Sequence, residues 1–325
     1  GVTHQGHNPW AFLLGRFLRS SLSEEKMVGN IVNDLYDELL QKPQADFDRC
    51  FEKSCTRNAA RLVLLPSADA PQFIEDLRAK IITPHFNTLS ALVKQWRAKP
   101  IYIEPTILAP RYGVQGRLDT LLHLHTNVPT EYGLFELKSG TVPKNDVWPN
   151  NAAQAQLYQL MLEAFSEGQI RATTGVLYTK AEPNNALRAV PEDRARHRVL
   201  IQLRNQLADI EFTLAKSPGQ LLNKLLQLEP QEVPRYMQGS LETFQSALRS
   251  ARNFERAYFE AFVGFVAREH LLARLGSGDW QGERSDGFAD LWRKTIPEKA
   301  RAYSVIAECK TIGYDPHENL VTLQF

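Results

Sequence analysis

The sequence predicts an α/β protein, a mixed central sheet flanked by helices, with large helical insertions and a C-terminal β segment. Three observations predict it. Apolar residues recur at helical spacing early in the chain, the period shifts towards two from Ile101, and an amphipathic helix then leads into one more apolar strand.

The first segment is "SEEKMVGNIVNDLYDELLQ", residues 23 to 41, where Met27, Ile31, Val32, Leu35 and Leu39 fall on one helical face and Pro43 ends the run. Residues 71 to 98 also read as helical, and Pro84 is expected to break or kink them. "IYIEPTIL" (101–108), "GRLDTLLHLH" (116–125) and "YGLFELK" (132–138) read as three strands, the last two joined by a polar turn containing Pro129. A helix from Asn151 to Phe165 follows, and "TTGVLYTK" (173–180) reads as a buried strand. After "LRAV" the pattern is helical again through "RARHRVLIQLRNQLADIEFTLA" and a long stretch from Leu241 to Leu275. The tail "RAYSVIAECKTIGYDPHENLVTLQF" alternates like strands about the turn "DPHEN". Its apolar end suggests a chain cut from a longer protein, or a native C-terminal edge strand.

The expected organisation is a mostly helical N-terminal part over 1–100, an α/β core over 101–215, a helical extension over 216–298, and the start of a small β domain over 299–325. At 325 residues the chain can bury a large core, as one elaborated domain or two. No apolar run approaches the roughly 20 residues of a membrane helix, and no secretory pattern opens the chain, so it reads as intracellular, with no membrane partner. With 38 Lys+Arg against 37 Asp+Glu, any nucleic-acid partner must be held by a local patch. Cys50, Cys55 and Cys309 are too few for a disulfide framework or a four-cysteine iron–sulfur site, and read as reduced thiols.

The chemistry concentrates in "GVQGRLDTLLHLHTNVPTEYGLFELKSG", residues 113 to 140. A hairpin turning between Asn127 and Val128 would set Asp119 opposite Glu136, Leu121 opposite Leu134 and His123 opposite Tyr132. Leu118, Leu122, Leu124, Phe135 and Leu137 would then occupy the other face. Directly opposed carboxylates about 5 Å apart repel, so a positive group should sit between them. A divalent cation such as Mg²⁺ or Mn²⁺ suits hard oxygen ligands. Lys138, two residues beyond Glu136, would share that space and could hold an attacking water or a developing negative charge. Such a set suits phosphodiester hydrolysis; a structural salt bridge on a surface hairpin is the plain alternative. On the following helix Gln154 and Tyr158 are four apart and lie together on the flank of the face formed by Ala153, Leu157, Leu160, Met161 and Ala164.

"GRLD", then "ELKSG", then "QAQLY" resembles the motif order of the PD-(D/E)XK nuclease superfamily, in particular its RecB-like branch. "IEPTILAPRYGVQGRLD", "GVLYTK" and "LIQLRNQLA" are further similar to the nuclease domain of the replication helicase–nucleases that trim Okazaki flaps. The resemblance covers roughly residues 20 to 210 and, more faintly, the C-terminal alternating segment. It implies a restriction-endonuclease-like core and a metal-dependent deoxyribonuclease acting on single-stranded or flapped DNA in repair or replication. One or two Mg or Mn ions would be held by Asp119, Glu136 and the carbonyl of Leu137. Lys138 would be the catalytic lysine, and Gln154 and Tyr158 active-site residues; Glu104 matches a further family acid. A helicase motor, in the same or another chain, is the implied protein partner, and a cytoplasmic, nucleoid-associated or nuclear location follows.

Two departures bear on this. Where the family carries a metal-binding His on its early helix, "GNIVND" places Asn33, a neutral and weaker ligand; Asp34 or Asp37 could compensate if the helix is rotated. The family's iron–sulfur cluster cannot be built here, and none is expected. Candidate DNA contacts are Arg117, Arg111, Trp148 and Arg204, with Lys144, Arg249, Arg252 and Arg256 as further basic positions. A catalytically weak or inactive nuclease-fold DNA-binding or scaffold module is the alternative function, and Asn33 is its argument. A third reading is another enzyme class in which the hairpin charges are structural.

Overall fold

The computed structural model describes residues 8–18, 23–65, 67–68, 72–96, 101–124, 130–276, 287–315 and 320–325. The chain divides into two compact units, one of Gly1–Leu207 with Pro230–Ser240, the other of Ala208–Glu229 with Leu241–Phe325. The expected turns at Asn127–Val128 and after Asp315 lie outside the described residues.

In the first unit, α1 (Pro9–Gly15) begins on the side chain of Asn8, which accepts from Trp10 and Ala11 N–H groups. Helix α2 (Glu24–Gln41) is capped by Ser23, and its apolar stripe of Met27, Ile31, Leu35 and Leu39 is buried. Helices α3 (Phe47–Arg57), α4 (Ala59–Val63) and α5 (Phe73–Asp76) follow, then a π-helical turn, Leu77–Ile82, and α6 (Thr83–Gln95). Pro84 does not break this region: it sits in the first turn of α6, where a missing N–H costs nothing, and the π turn before it absorbs the change of register.

The segments read as two strands before the turn are four. Strands β1 (Ile101–Ile103) and β2 (Thr106–Ala109) are interrupted at Glu104–Pro105, and β3 (Val114–Arg117) and β4 (Thr120–His123) at Leu118–Asp119. The two breaks face each other, joined by Glu104 N–H to Asp119 C=O (3.1 Å) and Leu118 N–H to Pro105 C=O (3.1 Å). The ribbon therefore bends: β2 and β3 form their own two-stranded sheet, while β1 and β4 join the main one. Leu118 consequently packs with Leu121 and Leu134, not with Leu122 as strict alternation required. The physical reason is Pro105, which has no N–H to continue the ladder, so both strands break there.

The main sheet is five-stranded and mixed, in the order β1-β4-β5-β6-β7, with β5 (Glu131–Lys138), β6 (Arg171–Tyr178) and β7 (Leu187–Val190). Strand β4 pairs antiparallel with β5 in the expected register, Leu121 opposite Leu134 and His123 opposite Tyr132. Helix α7 (Pro149–Phe165) makes the crossover to β6, which runs parallel to β5; α8 (Pro183–Ala186) leads into β7, and α9 (Arg194–Lys216) follows. Phe135 and Leu137 point into a core shared with α2, α3 and α6, and Leu134 points into a second core under α7. Glu136, one step along from Leu134 in the alternation, is set on the α7 side of the strand, between Leu134 and Lys138.

In the second unit, α10 (Pro218–Gln227), α11 (Gln238–Ser250) and α12 (Asn253–Leu275) pack through bonds such as Gln245 Nε2 to the carbonyls of Leu225 (2.8 Å) and Leu228 (2.9 Å). Helices α13 (Asp290–Arg293) and α14 (Ile296–Arg301) lead to an antiparallel pair, β8 (Lys310–Asp315) and β9 (Leu320–Gln324), with a bulge between Thr311 and Gly313. Among the described residues no helix is long and apolar enough to cross a membrane.

Candidate functional site

The bend in the ribbon puts Asp119 at the end of β4 beside Glu136 on β5. Asp119 Oδ2 accepts the Leu137 backbone N–H at 2.6 Å, which fixes its carboxylate across the strand break. Lys138 Nζ donates to Glu136 Oε1 at 2.7 Å and to Gln154 Oε1 at 3.0 Å. Gln154 Nε2 in turn donates to the same Glu136 oxygen at 2.5 Å and lies 3.1 Å from the Tyr158 hydroxyl. Five residues chosen from the sequence thus form one connected network from β4, β5 and α7. Tyr158 is more buried than a flank position would be, because β3 closes over it: a Cβ on Gly116 would lie 2.6 Å from its ring.

This network is incompletely satisfied. Glu136 is 3% exposed, and its Oε2 has no hydrogen-bond partner. Burial, and then the Asp119 charge, push the Glu136 carboxyl well above the carboxylate range, against the pull of Lys138. Asp119 is also raised by burial, offset by the Leu137 N–H and Lys138. Two buried carboxyls side by side, one with a free oxygen, require a proton or a cation between them.

Further acid groups approach from the other side. Burial, followed by the charges of Glu104, Asp119 and Asp34, raises Asp37 on α2 to about 7. Next to it, the Tyr36 hydroxyl accepts from Thr120 at 2.8 Å, which ties α2 to the start of β4. Asp34 is engaged elsewhere, accepting from Ser54 Oγ (2.6 Å) and Asn58 Nδ2 (3.0 Å). Asp37 is therefore the acid of this helix that faces the bend, and Asn33, half-buried one turn before it, shares its face. Glu104 sits at the bend itself with φ 48°, a left-handed conformation that costs a non-glycine residue about 1 kcal/mol or more, and pairs with Arg117 at 3.2 Å. Even so, among the described residues no group of three or more His, Cys, Asp or Glu side chains is placed to hold a metal ion. The Asp119–Glu136 pair offers two carboxylates, and among the described residues no third stands with it in such a group.

The other candidates are distributed. Arg111 lies 5.8 Å from the Tyr112 ring centroid, and the Arg204 guanidinium lies over Gly113, where a Cβ would be 2.9 Å from it. Arg111, Arg117 and Arg204 thus gather at the β2–β3 hairpin. Trp148 precedes α7, with its indole partly exposed. Arg249, Arg252 and Arg256 belong to the second unit, where they bond Leu226, Glu255 and Asn223. The thiols are free, Cys50 buried and Cys309 exposed.

One support is not legible in the sequence. His85 on α6 is fully buried, with Nδ1 2.5 Å from Thr179 Oγ1, and Thr179 donates its N–H to the Lys138 carbonyl at 3.0 Å. Burial lowers the imidazole to about 4, so it stays neutral behind the lysine. Nothing in the spacing of the sequence connects His85 with Lys138.

No protein-family model and no curated protein matches this chain. Among solved structures it is similar to one described as "Crystal structure of SSO0001", at 14% identity and a TM-score of 0.26, over 62% of this chain and 84% of that one. The likeness is too slight to inform fold or function. What the geometry itself defines is a mixed α/β protein with a buried carboxylate–lysine–glutamine centre at the bend of its ribbon.

Proposed function

We propose that this centre is a nuclease-like site of PD-(D/E)XK type, and that the chain handles DNA, single-stranded or flapped, as the nuclease-fold module of a larger repair or replication machine. Two readings of its activity follow from the number of ligands. The observation favouring hydrolysis is the partnerless Glu136 oxygen beside Asp119, with Lys138 held 2.7 Å from the same carboxylate. Mg²⁺ or Mn²⁺ at that pair, with Asp119, Glu136 and the Leu137 carbonyl as ligands, would supply a Lewis acid for the phosphate and a more acidic bound water. Lys138 would neutralise charge developing on the phosphate oxygens, Gln154 would keep the ammonium on the Glu136 side, and Tyr158 would hold Gln154.

The specific observation favouring the second reading, a catalytically weak or inactive DNA-binding or scaffold module, is the absence among the described residues of any three-member acid, His or Cys group placed for a metal. With Asn33 at the helical position, this count makes the second reading the better supported one as the side chains stand. A third carboxylate ligand would have to come from Asp37 or Glu104 turning towards the pair. Cleavage of an end-labelled single-stranded oligonucleotide with Mg²⁺, Mn²⁺ or EDTA, beside Asp119→Ala and Glu136→Ala, separates the two. Metal-dependent products lost in both variants establish hydrolysis, whereas intact binding with no products under any metal establishes the scaffold. Products that persist in both variants refute the site itself.

A further inference from the structure

The segment between β5 and α7 is built as a rigid strap. Arg188 on β7 donates Nη1 to the carbonyls of Pro143 (2.7 Å) and Asp146 (2.6 Å), and its guanidinium lies 5.4 Å from the Tyr178 ring centroid. The Tyr178 hydroxyl, on a fully buried side chain, receives the Trp148 backbone N–H and Asn151 Nδ2, each at 3.0 Å. Val142 and Val147 pack against the buried cluster of Ala152, Ala155, Val176 and Val190. The strap's side chain at the end of this scaffold is Trp148.

Trp148 is 43% exposed, and its one polar atom is already used: Nε1 donates to the Thr141 carbonyl at 2.8 Å. What remains for solvent is aromatic ring, locked in place at both the backbone and the indole nitrogen. A tryptophan held this way presents a preorganised stacking surface, with little side-chain entropy left to lose on binding. Its position suits the centre, since it stands six positions before Gln154 with five residues of α7 between them, about 9 Å along the helix axis.

We propose that Trp148 is a stacking platform for an unpaired nucleobase of a strand whose backbone crosses the carboxylate–lysine centre, and that Arg188 and Tyr178 are its positioning residues. The proposal rests on the nucleic-acid part of the reading above, but not on hydrolysis. A base within a duplex has its faces covered by its neighbours, so this platform selects single-stranded or frayed substrate, which the carboxylates alone do not.

Binding of a fluorescein-labelled dodecamer of thymidine, in EDTA so that no cleavage intervenes, is compared with that of an abasic dodecamer of equal charge. The wild type should bind the thymidine strand at least tenfold more tightly. Trp148→Leu should remove about tenfold of that preference, as expected for loss of one stacked base, and leave abasic binding unchanged. Trp148→Phe should restore most of it, and Arg188→Met should weaken base-dependent binding while Trp148 is still present. Equal affinity of the wild type for both strands overturns the platform while leaving a backbone-reading nucleic-acid site in place. Equal weakening of both strands by Trp148→Leu also overturns it, and failure to bind either strand overturns the nucleic-acid reading with it. Base-dependent binding without cleavage supports the platform and the scaffold reading together.

Discussion

The carboxylate centre takes both ends of one short stretch, Lys138 and Gln154, and the strap takes its middle, yet they satisfy their polar groups in contrasting ways. In the strap the Pro143 and Asp146 carbonyls each receive an Arg188 N–H, and the Tyr178 hydroxyl accepts two N–H groups from Trp148 and Asn151. In the centre two buried carboxyls face each other, one oxygen has no partner, and a single lysine opposes them. A satisfied network is explained by the stability and rigidity it confers; an unsatisfied one needs another component. That difference is what the proposed binding at the centre draws on, with the strap as the satisfied scaffold beside it.

The largest way to break the comparison is Lys138→Met. It strands Glu136 beside Asp119 with no cation of the protein's own, and removing one member of a buried pair costs about 3 kcal/mol. The loss should be greatest above pH 8, where both carboxyls are forced to ionise, and should shrink towards pH 5 as they take up protons. Urea unfolding in EDTA across that range measures it, and a loss independent of pH would contradict the charge argument. Next is Arg188→Met, which leaves the Pro143 and Asp146 carbonyls without their donor, at a cost of about 1–2 kcal/mol. This loss should be flat between pH 5 and 9, because neither carbonyl titrates. One loss that rises with pH, at Lys138 on β5, and one that is flat, at Arg188 on β7, would sharpen the contrast; parallel curves would erase it. Gly116→Ala is a smaller, steric probe: a Cβ there meets the Tyr158 ring at 2.6 Å and Met161 at 3.1 Å. It should cost about 1 kcal/mol and loosen the Gln154–Tyr158 contact, read as a changed Tyr158 environment by NMR.

Much of this centre was legible in the sequence because strand period and helix period each carry geometry. Alternation placed Glu136 and Lys138 together, and the spacing of Gln154 and Tyr158 put both on one flank of α7. The β4–β5 register is the one expected of a hairpin turning between Asn127 and Val128. What alternation could not show was the break: Pro105 ends one strand and the facing strand breaks with it, so Leu118 changes face and Glu104 takes a left-handed conformation. The groups reaching the centre from α2 and α6, Asp37 and His85, come from helices far away in the chain. Their rotation about their axes is fixed by tertiary packing, which a single helical pattern leaves free by a residue or so.

An effect no larger than that of Gly116→Ala, and the one that bears most on function, is expected of Asp37→Asn. The Asp37 carboxyl is raised from 3.8 to about 7 in the folded chain. Between these values the unfolded chain releases a proton that the folded one retains, so stability falls as pH rises through this window, and the full penalty is present above it. Asparagine cannot ionise, so the variant should match the wild type near pH 4 and exceed it at pH 8 by about 1 kcal/mol, the shift being discounted for the group's partial access to water. Added Mn²⁺ distinguishes what the acid is for. If Asp37 turns to join Asp119 and Glu136 around a cation, the wild type gains more from the metal than the variant does, and the order of stability at pH 8 reverses. If the pair holds the cation alone, both proteins gain equally and the asparagine variant stays ahead. The same titration then ranks the hydrolytic and scaffold readings by the number of carboxylates the centre can offer.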